Sequence, residues 1–213
     1  MQKTSLLETF IGEIDSALRT LLPPQKRASM RASPAAQIDD GEFTSQEKKH
    51  LAGLMRVNHA GEVCAQALYQ GQALTAQLTQ VKEQMAQAAA EELDHLAWCE
   101  ERLLELHSRP SILNPLWYGG SILIGAVAGL AGDKISLGFV AETERQVTAH
   151  LKQHLQRIPA ADKKTKAILE RMQQDEEHHA ATAVNAGAIE LPFVIKQVMS
   201  AVSKLMTHSS YYL

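Results

Sequence analysis

The apolar positions of this chain recur at steps of three and four residues, the period of one face of an α-helix. Leu6, Leu7, Phe10, Ile11, Ile14, Leu18 and Leu21 keep that step and predict a short amphipathic helix over 3–21. The stretch PPQKRASMRASPAAQIDDGE breaks it, and its Pro, Ser and Ala content reads as a linker or long loop over 22–43. Thr44, with Glu47 three residues on, has the form of a capping box. Four long helical segments follow, at 44–75, 78–108, 133–158 and 161–187. The first two join near Thr79. The second two break at Ile158-Pro159, where proline disfavours helix in the residue before it. Short connections of this kind give antiparallel hairpins. A last amphipathic helix is predicted over 192–207, with Phe193, Val194, Val198, Met199, Val202, Leu205 and Met206 apolar and Lys196 and Lys204 charged.

Between the hairpins lies 109–132, in which no charged side chain occurs after Arg109 and five glycines interrupt the apolar run. Its length would in principle span a bilayer. Pro115, Gly119 and Gly120 break its start, however, and Asp133-Lys134 follow at once. Two readings stay open. One is a buried crossover, packed closely through Gly125, Ala126, Ala128 and Gly129. The other is a surface that enters one leaflet and admits a hydrophobic substrate. The order of hairpin, long crossover, hairpin predicts an all-α, ferritin-like four-helix bundle. The N-terminal helix and linker would occupy 1–43, and the bundle with its crossover and C-terminal helix 44–213.

Composition refines this picture only slightly. A chain of 213 residues suffices for one domain with a sizeable core. Aromatics make up only 5%, while Ala, Leu, Gln and Glu abound, which favours helices because unbranched side chains lose little rotamer freedom there. Net charge is −3 and no basic stripe stands out, which argues against a nucleic-acid partner. Cys64 and Cys99 form no Cys-x-x-Cys pair, so no disulfide framework is expected, and a reducing cytoplasm is. The first twenty residues mix acids with apolar residues, unlike a signal peptide.

Candidate chemistry lies in a repeat. The first hairpin carries RVNHAGE, ending in Glu62, and then EELDH, with Glu92 and His95 three apart. The second carries AETERQ and then DEEHHA, with Glu176 and His179 three apart. Residues i and i+3 share a helical face, so each Glu and His pair projects together toward the bundle axis. A single Glu-x-x-His arises by chance on many solvated helices. Two copies, each preceded by a Glu on the partner helix, point to a site for two metal ions. Four carboxylates neutralise two divalent cations, whereas without metal they would repel one another out of water. Oxygen and nitrogen donors suit iron or manganese better than a closed structural zinc site. In the third long helix Leu137, Val140, Val147, Leu151, Leu155 and Ile158 form a stripe that includes Glu144 rather than Glu142. In the fourth, Ile168, Met172 and Ala183 favour Glu176/His179 over the overlapping pair Asp175/His178, which stays open. His59 and His150 read as structural or supporting residues, Cys64 and Cys99 as core, and Tyr69 as packing that could also line the site.

The motifs RVNHAGE, EELDH, AETERQ and DEEHHA, in this order and around an apolar middle segment, resemble the di-iron demethoxyubiquinone hydroxylases of ubiquinone biosynthesis. The resemblance covers roughly residues 50–190 and leaves the N-terminal helix and linker outside. It implies metal ligands at Glu62, Glu92, His95, Glu144, Glu176 and His179, and two iron ions per chain as cofactor. It implies a monooxygenase that uses O2 to hydroxylate the ring of a polyprenylated demethoxyubiquinol. Electrons would come from NADH or a reductase, although the chain shows no Gly-rich dinucleotide fingerprint. The place expected is the cytoplasmic face of the bacterial inner membrane, by peripheral association. Assembly with further copies or with other ubiquinone-biosynthesis proteins is compatible with that reading. The rival readings are a ferroxidase or peroxide reductase, and a metal-free helical lipid-binding protein.

Overall fold

The computed structural model describes residues 6–22 and 27–213, and among these it holds seven helices and no strand. In chain order they are α1 (Leu6–Leu21), α2 (Ser45–Thr75), α3 (Thr79–Glu105), α4 (Asn114–Leu130), α5 (Asp133–Leu155), α6 (Lys163–Asn185) and α7 (Phe193–Tyr212). The predicted start of the first helix, at 3–5, lies outside the described residues. The capping box forms as its spacing predicts: Thr44 Oγ1 accepts from the Glu47 amide at 3.2 Å, and Glu47 returns a carboxylate to the Thr44 amide at 2.8 Å.

The α2–α3 and α5–α6 hairpins pack into a four-helix bundle. One end of its core is filled by Leu51, Met55, Trp98, Leu103, Leu151 and Ile168. The other end is filled by Tyr69, Val81, Met85, Leu137 and Val140, with several alanines. Helix α2 is buried on nearly every side because α3, α4, α5 and α7 all pack against it. Such a helix needs no polar outer stripe, and this one has none.

The apolar crossover is helical over most of its length. Asn114 meets His59 near one end of α4, at 3.2 Å, and Gly129 abuts Gln72 and Thr75 at the other, so α4 runs parallel to α2. Their approach is close because glycines meet backbone: a side chain at Gly71 would run into Ile122 and Ala126, and one at Gly125 into Leu68. One face of α4 is therefore buried, while Leu116, Leu123, Val127 and Leu130 are exposed on the other. The buried reading holds for one face of α4, and the other face leaves the membrane-surface reading open. No helix among the described residues is long and apolar enough to cross a membrane. Gly132 turns the chain into α5 with a left-handed φ of 113°, and Asp133 then accepts from the amides of Gln77 and Leu78, tying α5 to the first hairpin's turn.

Helix α7 runs five residues beyond its predicted end at 207. The tail HSSYY has no apolar period, but α2 and the start of the crossover hold it. Tyr211 lies against Gly53 and its hydroxyl meets His50 Nδ1 at 2.7 Å, while the Leu213 carbonyl accepts from the Ile112 amide at 3.1 Å. Phe193, Val194, Val198 and Leu205 are exposed along the outer face of α7.

The segment after α1 has no regular structure but is firmly attached. Arg27 pairs with Glu100 (2.8 Å), Arg31 with Asp94 (2.7 Å) and Asp175 (2.8 Å), and Asp40 with Arg102 (2.8 Å). These contacts lay residues 27–41 as a strap across α3, with Arg31 reaching over to α6.

Candidate metal centre

Each hairpin delivers one Glu from its first helix and a Glu and His from its second to the middle of the bundle. Glu62 comes from α2, Glu92 and His95 from α3, Glu144 from α5, and Glu176 and His179 from α6. None is more than 7% exposed, so four carboxyl groups and two imidazoles share a space withdrawn from water. They form two groups. Ligand atoms of Glu62, Glu92, His95 and Glu176 all lie within 4.8 Å of one another, as do those of Glu92, Glu144, Glu176 and His179. Glu92 and Glu176 belong to both groups, and the two hairpins contribute equivalent residues. The sequence repeat thus becomes a nearly twofold arrangement in space.

The imidazoles are oriented alike. His95 Nε2 points outward to Asp175 Oδ2 at 3.0 Å, which leaves Nδ1 facing Glu92 (3.1 Å), Glu176 (3.2 Å) and Glu62 (3.4 Å). His179 Nε2 points outward to Glu91 at 2.9 Å, and its Nδ1 faces Glu176 (3.1 Å) and Glu92 (3.5 Å). A carboxylate behind each ring fixes the tautomer that offers Nδ1 as a ligand atom.

The electrostatics are those of crowded, buried carboxylates. Burial, and then the charge of Glu92, pushes the Glu62 carboxyl well above the usual range. Burial, with Glu176 and Glu92, does the same to Glu144. For the histidines burial acts in the opposite sense, yet hydrogen bonds and charge from the carboxylates win: His95 is raised well above its ordinary value and His179 to about 12. Protons on the imidazoles thus offset part of the carboxylate charge. Among the described residues, Glu144 Oε2 is buried and accepts no hydrogen bond, and Glu92 Oε1 and Glu176 Oε1 face imidazoles without a hydrogen bond of good geometry. Buried oxygens in want of a positive partner are what two metal cations would satisfy, and this mixed carboxylate and imidazole set fits iron or manganese.

Competing residues point elsewhere. Glu142 faces away from the cluster, accepting from Gln146 at 2.8 Å and lying 3.7 Å from Lys196 on α7. His178 is exposed, and Asp175 stands behind His95 rather than among the six. His59 meets Glu100 (3.1 Å) and Asn114 and belongs to neither group. His150 lies against His154 with ring centres 3.9 Å apart and planes tilted by 59°, and burial with the charge of Arg157 lowers it to about 4. Cys99 is buried in the core, and Cys64 is partly exposed. Tyr69 takes more than the packing role expected of it, since its hydroxyl donates to Glu144 Oε1. Sequence reading also missed Arg31, which sits in a segment without periodicity and offers no signal there. A cavity of about 60 Å³ beside the cluster is lined by Tyr69, Met85, Glu91, Leu137, Val140 and His179.

Known proteins share both the fold and the sequence. A dodecameric thioferritin, the bacterioferritin-related protein from Bacteroides fragilis, superimposes with a TM-score of 0.55. It is 18% identical, over 65% of this chain and 84% of its own, a likeness of fold alone that makes the bundle ferritin-like. The 3-demethoxyubiquinol 3-hydroxylase of Legionella pneumophila strain Corby is 72% identical over the full length of both chains. The enzyme of the same name from Acinetobacter baylyi is 58% identical over 97% of each. The family model of the ubiquinone biosynthesis protein COQ7 matches residues 46–210, which span all six clustered residues. The chain therefore belongs to the COQ7 family of ubiquinone biosynthesis proteins.

Proposed function

We propose that this chain is a di-iron monooxygenase that uses O2 to hydroxylate the ring of a polyprenylated demethoxyubiquinol. The observation that carries the reading is the pair of four-residue groups sharing Glu92 and Glu176, in a chain so close to proteins named 3-demethoxyubiquinol 3-hydroxylase. Glu62, Glu92, His95 and Glu176 would hold one iron, and Glu92, Glu144, Glu176 and His179 the other. The iron pair supplies the electrons and the Lewis acidity that O2 activation needs.

The chain's own residues do the rest. Asp175 and Glu91 hold the outward N–H of His95 and His179, which keeps each Nδ1 free of a proton once a cation is bound. Tyr69 fixes Glu144 by donating to Oε1 and leaves Oε2 available. Leu51, Met55, Trp98 and Leu151 close one end of the core against water, so charge inside is screened weakly. The cavity at Tyr69, Met85, Leu137 and Val140 has room for a small molecule such as O2 beside His179.

A prenylated quinol is delivered from a lipid phase. The exposed apolar residues of α4 and α7 support peripheral association with the cytoplasmic face of the inner membrane. Electrons come from NADH or a reductase.

The test is anaerobic reconstitution with Fe(II), metal analysis, and single-turnover assay on a demethoxyubiquinol. Two irons per chain and a hydroxylated ring carrying one atom from labelled O2 support the reading. Rapid Fe(II) oxidation without ring hydroxylation would favour the ferroxidase alternative. Unchanged metal content in Glu92→Ala and His95→Ala chains would favour a metal-free lipid-binding role.

A further inference from the structure

The two histidines of the cluster are held by unequal supports. Behind His179 stands Glu91, with its side chain 27% exposed; among the described residues its other bond is a long one, 3.4 Å, from Gln87. Behind His95 stands Asp175, which is nearly buried and held by two arginines. Arg171 comes from one turn earlier on α6 at 2.9 Å, and Arg31 comes from the strap, 144 residues away in sequence. Arg31 Nη1 donates at 2.8 Å to the same Oδ2 that receives the His95 N–H.

Arg31 is itself fixed from several sides. Its Nε donates to Asp94 Oδ2 at 2.7 Å, and Asp94 Oδ1 accepts the Met30 amide at 2.6 Å. Its guanidinium lies over the Trp98 ring at 5.0 Å, and the Trp98 indole N–H reaches the Arg31 carbonyl at 3.4 Å. That same Trp98 ring stands 5.4 Å from the His95 ring. Among the described residues, the strap thus delivers a multiply bonded cation behind His95 and none behind His179, from a segment outside the residues that the family model matches.

We propose that Arg31 is a positioning residue for the iron site built on His95, acting through Asp175, and that the strap thereby makes the two iron sites unequal. The inference rests on the di-iron reading above. A guanidinium bridging Asp94 and Asp175 locks the carboxylate that sets the His95 ring. Outer partners of this kind change metal affinity by about 10- to 100-fold when removed. Among the described residues His179 has no comparable clamp, so its iron is the more exchangeable of the two.

The experiment titrates anaerobic full-length chain with Fe(II) alone against a chromogenic chelator, and records Mössbauer spectra of the loaded protein with ⁵⁷Fe. In Arg31→Gln we expect one iron to weaken about tenfold or more while the other keeps its wild-type affinity. The perturbed doublet should be the one lost in His95→Ala and retained in His179→Ala. Arg31→Lys should recover part of the affinity, because an ammonium restores charge but cannot span both aspartates. Two irons held as in wild type, or both weakened equally, would overturn the proposal. If Arg31→Gln lacks wild-type helix content by circular dichroism, Arg31→Lys decides by the same comparison. A wild-type chain that binds no iron would bring down both readings. One that binds two irons but hydroxylates nothing brings down the monooxygenase alone, and the affinity comparison still decides Arg31.

Discussion

Replacing Glu144 by Gln should change sign with metal content. In the metal-free chain Glu144 is buried beside Glu176 and Glu92, with one oxygen unpartnered. Its carboxyl is raised above the unfolded value, so it destabilises the fold at any pH above the ordinary carboxylate range. Each pH unit of that rise is worth about 1.4 kcal/mol. Gln keeps the shape, still accepts from Tyr69, and removes the term. Its N–H₂ must then find an acceptor among the remaining carboxylates, which limits the gain to about 1–2 kcal/mol. For a chain of this size that raises Tm by about 2–8 °C. In the iron-loaded chain the same change removes a ligand from the His179 group. If that iron weakens about a hundredfold, the stabilisation from binding falls by about 2.7 kcal/mol, and Tm drops below the loaded wild type. The assay is a thermal melt by circular dichroism of both chains, with chelator and with anaerobic Fe(II). A variant that melts lower than wild type without metal, and gains as much as wild type with it, would refute the picture of repelling carboxylates relieved by cations.

Metal uptake should release protons, because His95 and His179 are raised and hold protons near neutrality. A raised histidine stabilises the metal-free fold below its unfolded value near 6.5 and loses that contribution as pH climbs toward about 12, while the raised carboxyls destabilise above about 4.5. Both effects make the metal-induced gain in Tm larger at pH 8 than at pH 6, and calorimetric titration in buffers of different ionisation enthalpy should count about two or more protons per chain; none would contradict the assignment. Gly71→Val should push α4 off α2, since the added carbons meet the backbone of Ile122 and Ala126. The expected loss is about 1–3 kcal/mol or more, read as a lower denaturant midpoint at unchanged slope, whereas Gly12→Ala, which meets nothing, should be neutral or stabilising.

Much of the fold was legible because the hydrophobic period is itself the packing instruction. A stripe such as Leu137, Val140, Leu151 and Ile158 has to face a core, and Glu144 on that stripe has to face it too. The same logic separated Glu144 from Glu142, which the structure turns toward Lys196. Where helices are held by contacts rather than by pattern, the sequence was silent. The last turns of α7 exist because Tyr211 finds Gly53 and His50, a long-range fit that leaves no local period. The strap offered no signal at all, since an arginine in an irregular segment looks solvated until its aspartates are placed beneath it.

Asp175 shows why one motif allowed two ligand pairs. DEEHHA has Asp175/His178 and Glu176/His179 one residue apart, a rotation of about 100° around the helix. That rotation carries the first pair off the bundle axis, but it does not separate their roles. His178 reaches solvent, while Asp175 lands at the α3–α6 seam, within reach of His95 Nε2. The overlapping spacing therefore encodes a residue of the inner cluster and, one residue earlier, the group that orients the opposite hairpin's imidazole. EELDH does the same in mirror fashion, for Glu91 precedes Glu92 and supports His179. Each hairpin thus sets the imidazole of the other, so neither can form its half of the cluster alone. The halves differ in what stands behind these carboxylates, a long bond from Gln87 and solvent for Glu91 and two arginines for Asp175, and on the di-iron reading that inequality would carry into iron affinity.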